Sequence, residues 1–204
     1  DRSIGKEQTK AAPLIVHDAH PPVETLGFGS DREPRDRVTS GGKTVMDHAL
    51  AGEIRDDVSS GGNLIAMGHA SLFDSMANRR TNFALRDVLG VDFAGELPGY
   101  KQFTALPGAG IASQLRLNAA ALGVKATTGR VLAVWKSAGD APAVVENRFG
   151  EGRAIYISAG ELAVSESTLL KEMTERLIGS PSVAIEAARK YSFVMNRKDG
   201  DLLL

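Results

Sequence analysis

The stretch "RVLAVWKSAGDAPAVVENRFGEGRAIYISA", Arg130 to Ala159, bears most directly on the fold. It holds three apolar, β-branched runs: Arg130 to Lys136, Ala141 to Arg148 and Arg153 to Ala159. "FGEG" is a turn between the second and third. Val134, Trp135, Ile155 and Ile157 are candidate core residues. What these strands join depends on what flanks them.

Downstream, "SESTLLKEMTERLIGS" has the clearest helical period. Ser165 or Ser167 can cap its start, and Leu169, Leu170, Met173, Leu177 and Ile178 form its apolar stripe. Gly179 and Pro181 stop it. "KYSFVMNRKDGDLLL", from Lys190, then reads as strand, Asp-Gly turn, strand. The chain stops on three leucines just after that turn, which reads as the start of a further β unit in a larger protein.

Upstream, Val45, Met46, Leu50, Ile54 and Val58 fall at near-helical spacing. They predict a helix over 43–58, ended by Ser59-Ser60-Gly61-Gly62. "NLIAMG", Asn63 to Gly68, is a short apolar strand. "NFALRDVLG", Asn82 to Gly90, is a short helix with Gly90 at its C-terminal end. Residues 92 to 128 are broken by Pro98, Gly99, Pro107, Gly108 and Gly110 and show no clear period. Residues 1 to 42 are rich in Pro, Gly and charge, apart from "PLIV", Pro13 to Val16, a candidate short strand. The expected division is therefore a poorly legible segment 1–42, an α/β domain 43–180 and the start of a β unit 181–204.

Composition narrows the function. Hydrophobic residues make up 43% of the 204, enough to bury a proper core. The net charge of -1 gives no general attraction to nucleic acid or to an anionic membrane. No apolar run approaches the ~20 residues of a membrane span. The chain contains no Cys, which excludes a thiolate nucleophile, a thiolate metal site and a disulfide scaffold. No cofactor is implied, and the compartment is not legible.

"GGNLIAMGHASLFDS", Gly61 to Ser75, resembles in outline a strand that hands a nucleophile to the following turn. The G-x-S-x-G spacing is absent, since Gly68-His69-Ala70-Ser71-Leu72 lacks the second Gly. A structural turn held by Leu72 and Phe73 explains the pattern. Even so, His69, Ser71 and Asp74 stand at the carboxyl end of a strand, where open α/β sheets gather ligands. They are the candidate ligand-binding residues, and no catalytic residue is assigned. His17, Asp18 and His20 have metal-ligand chemistry, but a loop with two solvated histidines explains them, so no metal site is assigned. "SGGKT", Ser40 to Thr44, would need Gly at position 37 for a phosphate loop, and Arg37 stands there. Asp74, Glu96, Glu146, Glu151 and Glu161 are scattered carboxylates, with Glu146 suited to a salt bridge or a solvated edge.

Two segments together carry a family resemblance. Glu53 to Glu96 resembles the "helix, Gly-Gly, apolar strand, Ser-Leu-x-Asp, Phe-Ala-Leu-x-Asp-x-x-Gly-Val" segment of the β-galactosidase trimerisation domain of bacterial glycoside hydrolases. Gly129 to Glu161 is similar to that family's "Pro-Ala-Val-Val-Glu-Asn-x-x-Gly-x-Gly-Arg-x-x-Tyr" hairpin. The resemblance implies a class I glutamine amidotransferase-like fold with flavodoxin-like layering: a mostly parallel sheet with helices on both faces. It implies a non-catalytic, oligomerising domain that packs on the catalytic barrel of its parent enzyme. The missing Cys agrees that amidotransferase chemistry is gone. The alternatives are a small-molecule or sugar-binding domain using His69, Ser71 and Asp74, and a hydrolase with Ser71 as nucleophile.

Overall fold

A computed structural model describes residues 14–15, 37–39, 45–112, 117–160, 168–178, 196–198 and 201–203. In chain order the elements are β1 (Leu14–Ile15), β2 (Arg37–Thr39), α1 (His48–Ser59), β3 (Asn63–Met67), α2 (Arg86–Leu89), β4 (Val91–Ala105), β5 (Asn118–Ala126), β6 (Arg130–Trp135), β7 (Ala141–Phe149), β8 (Gly152–Ile157), α3 (Leu169–Ile178), β9 (Asn196–Lys198) and β10 (Asp201–Leu203). Eight strands form one sheet in the order β1-β2-β3-β8-β7-β6-β4-β5. β9 and β10 form a separate antiparallel pair, as the Asp-Gly signal predicts.

The sheet corrects the expected fold. It is mixed and strand-rich, not mostly parallel with amidotransferase-like, flavodoxin-like layering. Among the described residues the β1–β2, β2–β3 and β3–β8 ladders are parallel. The β8–β7, β7–β6, β6–β4 and β4–β5 ladders are antiparallel. The reason lies in the connections. A parallel neighbour needs a crossover of a dozen or more residues. β7 and β8 are separated only by Gly150 and Glu151, and β6 and β7 only by Lys136–Asp140. Loops so short can only return the chain antiparallel. α2, at four residues, is also too short to serve as a covering layer.

The antiparallel half curls into a half-barrel. The Leu122 N–H donates to the Ser158 carbonyl at 2.8 Å, and Ala121 bridges Ala159. Edge strand β5 thus returns to the far end of β8. Part of its polar backbone edge is satisfied by that contact.

Residues 92–128 hide the longest strand. β4 runs 15 residues through Gly95, Pro98 and Gly99. Its register against β5 shifts between Phe93 and Gly95, and again between Leu97 and Lys101. The irregularity leaves Pro98 outside the ladder, where its missing N–H costs nothing.

Alternation of side chains splits the core in two. Ile65, Val144, Trp135, Ile155 and Ile157 pack with Leu169, Met173 and Leu177 of α3. Leu64, Ala66, Val145, Ala154 and Tyr156 pack with Ala51, Ile54 and Val58 of α1 and with Val88 and Leu89. Each large side chain buried this way contributes about 1.5–3 kcal/mol. Val134, Trp135, Ile155 and Ile157 are all buried, as their pattern predicts.

α1 begins five residues later than its periodicity suggests. Asp47 is its N-cap, and its side chain accepts the Leu50 N–H at 2.8 Å. Val45 belongs instead to a bridge with Phe73. Gly90 ends α2 in the left-handed region, φ 67°, as a C-terminal Gly should. At the start of β8, a Cβ on Gly152 would lie 2.1 Å from the Gly62 carbonyl oxygen and 2.2 Å from that of Val58. Only glycine lets the β7–β8 turn lie against the end of α1.

Candidate functional site

The three sequence-assigned residues all stand in the loop that leaves β3, and the structure gives each a separate place. Gly68 turns the chain at φ 52°. Its carbonyl accepts the buried Tyr156 hydroxyl at 2.6 Å. Burial pushes that phenol well above its ordinary pKa, with the Glu96 charge adding to the effect, so it stays a donor. The end of β3 is therefore pinned to β8 by a side chain as well as by the ladder.

Ser71 is fully buried and sits in the left-handed region, φ 63°. Its Oγ accepts the Leu85 N–H at 3.3 Å and its carbonyl accepts the Ala84 N–H at 3.0 Å. Leu72 and Phe73 pack in the same apolar cluster as Phe83, Leu85 and Leu89. Ser71 thus ties the turn to the segment that begins α2. A hydroxyl turned into the fold cannot reach a substrate, so the elbow geometry a nucleophile needs is not built here.

Asp74 closes the next turn. Its Oδ1 accepts the Met76 N–H at 2.9 Å and the Asn78 N–H at 2.8 Å, and its Oδ2 accepts the Asn78 amide at 3.2 Å. The Asn78 backbone donor, with the two further Asn78 and Met76 bonds, holds this carboxyl below its usual range against the opposing effect of burial. Arg80 anchors the loop from behind, donating to the Phe73 carbonyl and, at 2.7 Å, to the Met46 carbonyl.

His69 is partly exposed. Its Nε2 lies 3.6 Å from Glu96 Oε1, an ion pair only while the imidazole is protonated. Its ring tilts against Phe73 at 5.8 Å. Arg79 Nη1 reaches the same Glu96 oxygen at 3.5 Å, and its guanidinium lies over the Phe93 ring. This solvated cluster gives the loop modest electrostatic support. His69, Ser71 and Asp74 are thus neighbours in sequence that face three different environments.

Other candidates fall apart in the same way. Glu146 is paired with Arg176, Glu96 with His69 and Arg79, and Asp74 with its own loop. Among the described residues no three His, Asp or Glu groups converge as a metal ion needs. His17, Asp18, His20, "SGGKT", Glu161, Ser165 and Ser167 lie outside the described residues.

The opposite end of the sheet, where β8 begins, holds a cleft of about 610 Å³ lined by Thr128, Arg130, Glu146, Asn147, Arg148, Arg153 and Arg176. Glu146 and Arg176 form a two-pronged pair across it, at 3.0 and 2.8 Å. These bonds hold the Glu146 carboxyl below its ordinary range despite partial burial, with Arg153 and Arg130 adding to the effect. Asn147 is buried and fully used. It donates to the Asp87 and Val88 carbonyls at 3.0 and 2.9 Å and accepts the Thr128 hydroxyl at 3.0 Å, so it closes α2. The arginines were missed because each reads as isolated surface charge. The signal was present in "NRFGEGR": a two-residue turn there sets Arg148 opposite Arg153.

A family model described as the β-galactosidase trimerisation domain matches residues 43–184, most of the chain. The chain belongs to that family. The Glu146, Asn147, Gly152, Arg153 and Tyr156 positions of its hairpin motif are all seen here in packing or hydrogen-bonding roles.

Solved structures similar to this trimerisation domain include a β-galactosidase from Rahnella sp. R3 (TM-score 0.59, 16% identity) and one from Bacillus circulans sp. alkalophilus (0.58, 17%). A third is α-L-fucosidase isoenzyme 2 from Paenibacillus thiaminolyticus (0.53, 20%). The matches cover 69%, 70% and 70% of this chain but 22%, 22% and 25% of those chains. The trimerisation domain thus spans about a quarter or less of the structures it resembles, and the likeness is one of fold. A search of curated proteins gave no match.

Proposed function

We propose that this chain is a non-catalytic structural domain of a glycoside hydrolase, one that packs on the catalytic barrel of its parent enzyme and supports a homo-oligomer. The family match over residues 43–184 carries this reading. The loop after β3 supports it. The position where a strand could present a nucleophile holds a buried serine committed to the Leu85 N–H. The polar side chains around it are engaged in holding the loop. Such a loop can present a shaped, rigid surface to a neighbouring domain without doing chemistry on it.

The test joins two measurements on the purified 204-residue chain. Sedimentation velocity over a concentration series should show self-association, and a panel of aryl glycosides should show no turnover. Hydrolysis that co-purifies with the chain and is lost in Ser71→Ala would overturn the non-catalytic reading. A chain that stays monomeric at every concentration would remove the oligomeric part.

A further inference from the structure

The cleft at the start of β8 combines four features. It is lined by four guanidinium groups and a single carboxylate, in a chain whose net charge is -1. Its carboxylate is already matched, because Glu146 takes two hydrogen bonds from Arg176. Arg176 spends its remaining reach on the Ala109 carbonyl at 2.6 Å. Among the described residues Arg130, Arg148 and Arg153 therefore make no salt bridge, although Arg130 and Arg153 still act on Glu146 from a distance.

These three are unequally engaged. Arg153 donates through Nη2 to the Leu177 carbonyl, which fixes its side chain against the end of α3. Arg130 has one long contact, 3.4 Å, to the Gly108 carbonyl. Arg148 is exposed and has no hydrogen-bond or ion-pair partner among the described residues. The hairpin register sets Arg148 directly opposite Arg153, and Arg130 directly opposite Glu146. Like charges directly opposite on neighbouring strands destabilise a sheet. A hairpin that pairs Arg148 with Arg153 therefore carries a like-charge repulsion that a bound anion would relieve.

Guanidinium suits this role because its planar fork matches the two oxygens of a carboxylate or phosphate. The cleft has ample room for a small oxyanion. It is built on strands and a helix, with Arg153 and Arg176 each tied to a backbone carbonyl, so its cations are partly positioned before any ligand arrives.

We propose that this cleft binds a small oxyanion from solution, a phosphate or carboxylate group held between Arg148 and Arg153 with Arg130 alongside. The Glu146–Arg176 pair forms one wall and keeps the carboxylate of the protein itself out of competition. The site lies at the opposite end of the sheet from His69, Ser71 and Asp74 and stands independently of the structural role proposed above.

The experiment titrates the full chain with inorganic phosphate and, separately, with succinate. Each is matched against sodium chloride of equal ionic strength. Phosphorus NMR line broadening reads phosphate binding directly, and thermal unfolding reads both ligands. Saturable broadening and a rise in melting temperature beyond the chloride control are expected. A response to both anions assigns a general oxyanion site, and a response to phosphate alone assigns a phosphoryl site. Arg148→Gln is the deciding variant, since an exposed, unpartnered side chain can be changed without harming the fold. It should weaken phosphate binding about tenfold or more. Broadening and stabilisation no larger than in chloride, or unchanged by Arg148→Gln, would overturn the proposal.

Discussion

The two ends of the central strands β3 and β8 use polar residues in opposite ways. At the carboxyl end of β3, where sheets with parallel strands commonly gather ligands, the polar groups turn inward on the loop itself. Ser71 serves Leu85, Asp74 serves Met76 and Asn78, and Arg80 serves the Phe73 and Met46 carbonyls. At the amino end of β8 four arginines share one carboxylate, and among the described residues only Arg176 makes a salt bridge with it. At the first end Ser71 and Asp74 are committed to holding the loop, while His69 stays partly open beside Glu96. The second is a candidate site that looks like scattered surface charge. Position in a fold suggests where chemistry could sit, and the hydrogen-bond inventory says whether anything is left to do it.

The largest effect should come from packing at the amino end. Gly152→Ala forces a Cβ against two backbone carbonyls that cannot swing away, and should cost about 3 kcal/mol or more in equilibrium unfolding. A cost below 1 kcal/mol would mean that α1 and the β7–β8 turn are not packed as described. Next comes Arg176→Ala, which strands a partly buried Glu146. About 2 kcal/mol of destabilisation is expected, less than for a fully buried pair because water still reaches the carboxylate. Glu146→Gln in the same background should recover part of it, since the uncharged amide tolerates the missing partner.

At the carboxyl end the effects should be smaller. Ser71→Ala leaves the buried Leu85 N–H without its acceptor and should cost about 1 kcal/mol. Glu146 and Asp74 both have pKa values lowered in the folded state. The unfolded chain therefore takes up protons first as pH falls. The stabilisation from each is complete above the ordinary carboxylate range and is lost as pH drops through the lowered folded value. Acid titration should thus weaken the fold through Glu146 and open the loop through Asp74. Hydrogen exchange at the Met76 and Asn78 amides, corrected for the intrinsic pH dependence of exchange, should report the second event. Protection that survives protonation of Asp74 would mean that the turn is held by something else.

Much of the fold was legible where local signals are strong. The runs at 63–68, 130–136, 141–148 and 153–159 are strands within a residue or two at each end. Of the α3 stripe, Leu169, Met173 and Leu177 are buried and Leu170 and Ile178 are partly buried against the same core. The sheet's direction was misread because periodicity defines a strand without its partner, and the family resemblance suggested parallel neighbours. The short connections at Lys136–Asp140 and Gly150–Glu151 contained the correction. β4 was hidden because Gly95, Pro98 and Gly99 break the pattern at the very points where its pairing slips. The late start of α1 was readable in Asp47, a good N-cap that two upstream apolar residues obscured. His69, Ser71 and Asp74 were legible as a cluster in sequence. Their separation was not, because burial of Ser71 depends on residues 83 to 89 arriving from beyond the loop.

The most direct test of the contrast between the two ends is equilibrium unfolding of two single variants, Ser71→Ala and Arg148→Gln. If the exit of β3 is self-supporting scaffold and the start of β8 carries unrelieved repulsion, Ser71→Ala lowers stability. Arg148→Gln then leaves stability unchanged or raises it in phosphate-free buffer. A neutral Ser71→Ala together with a destabilising Arg148→Gln would contradict the account.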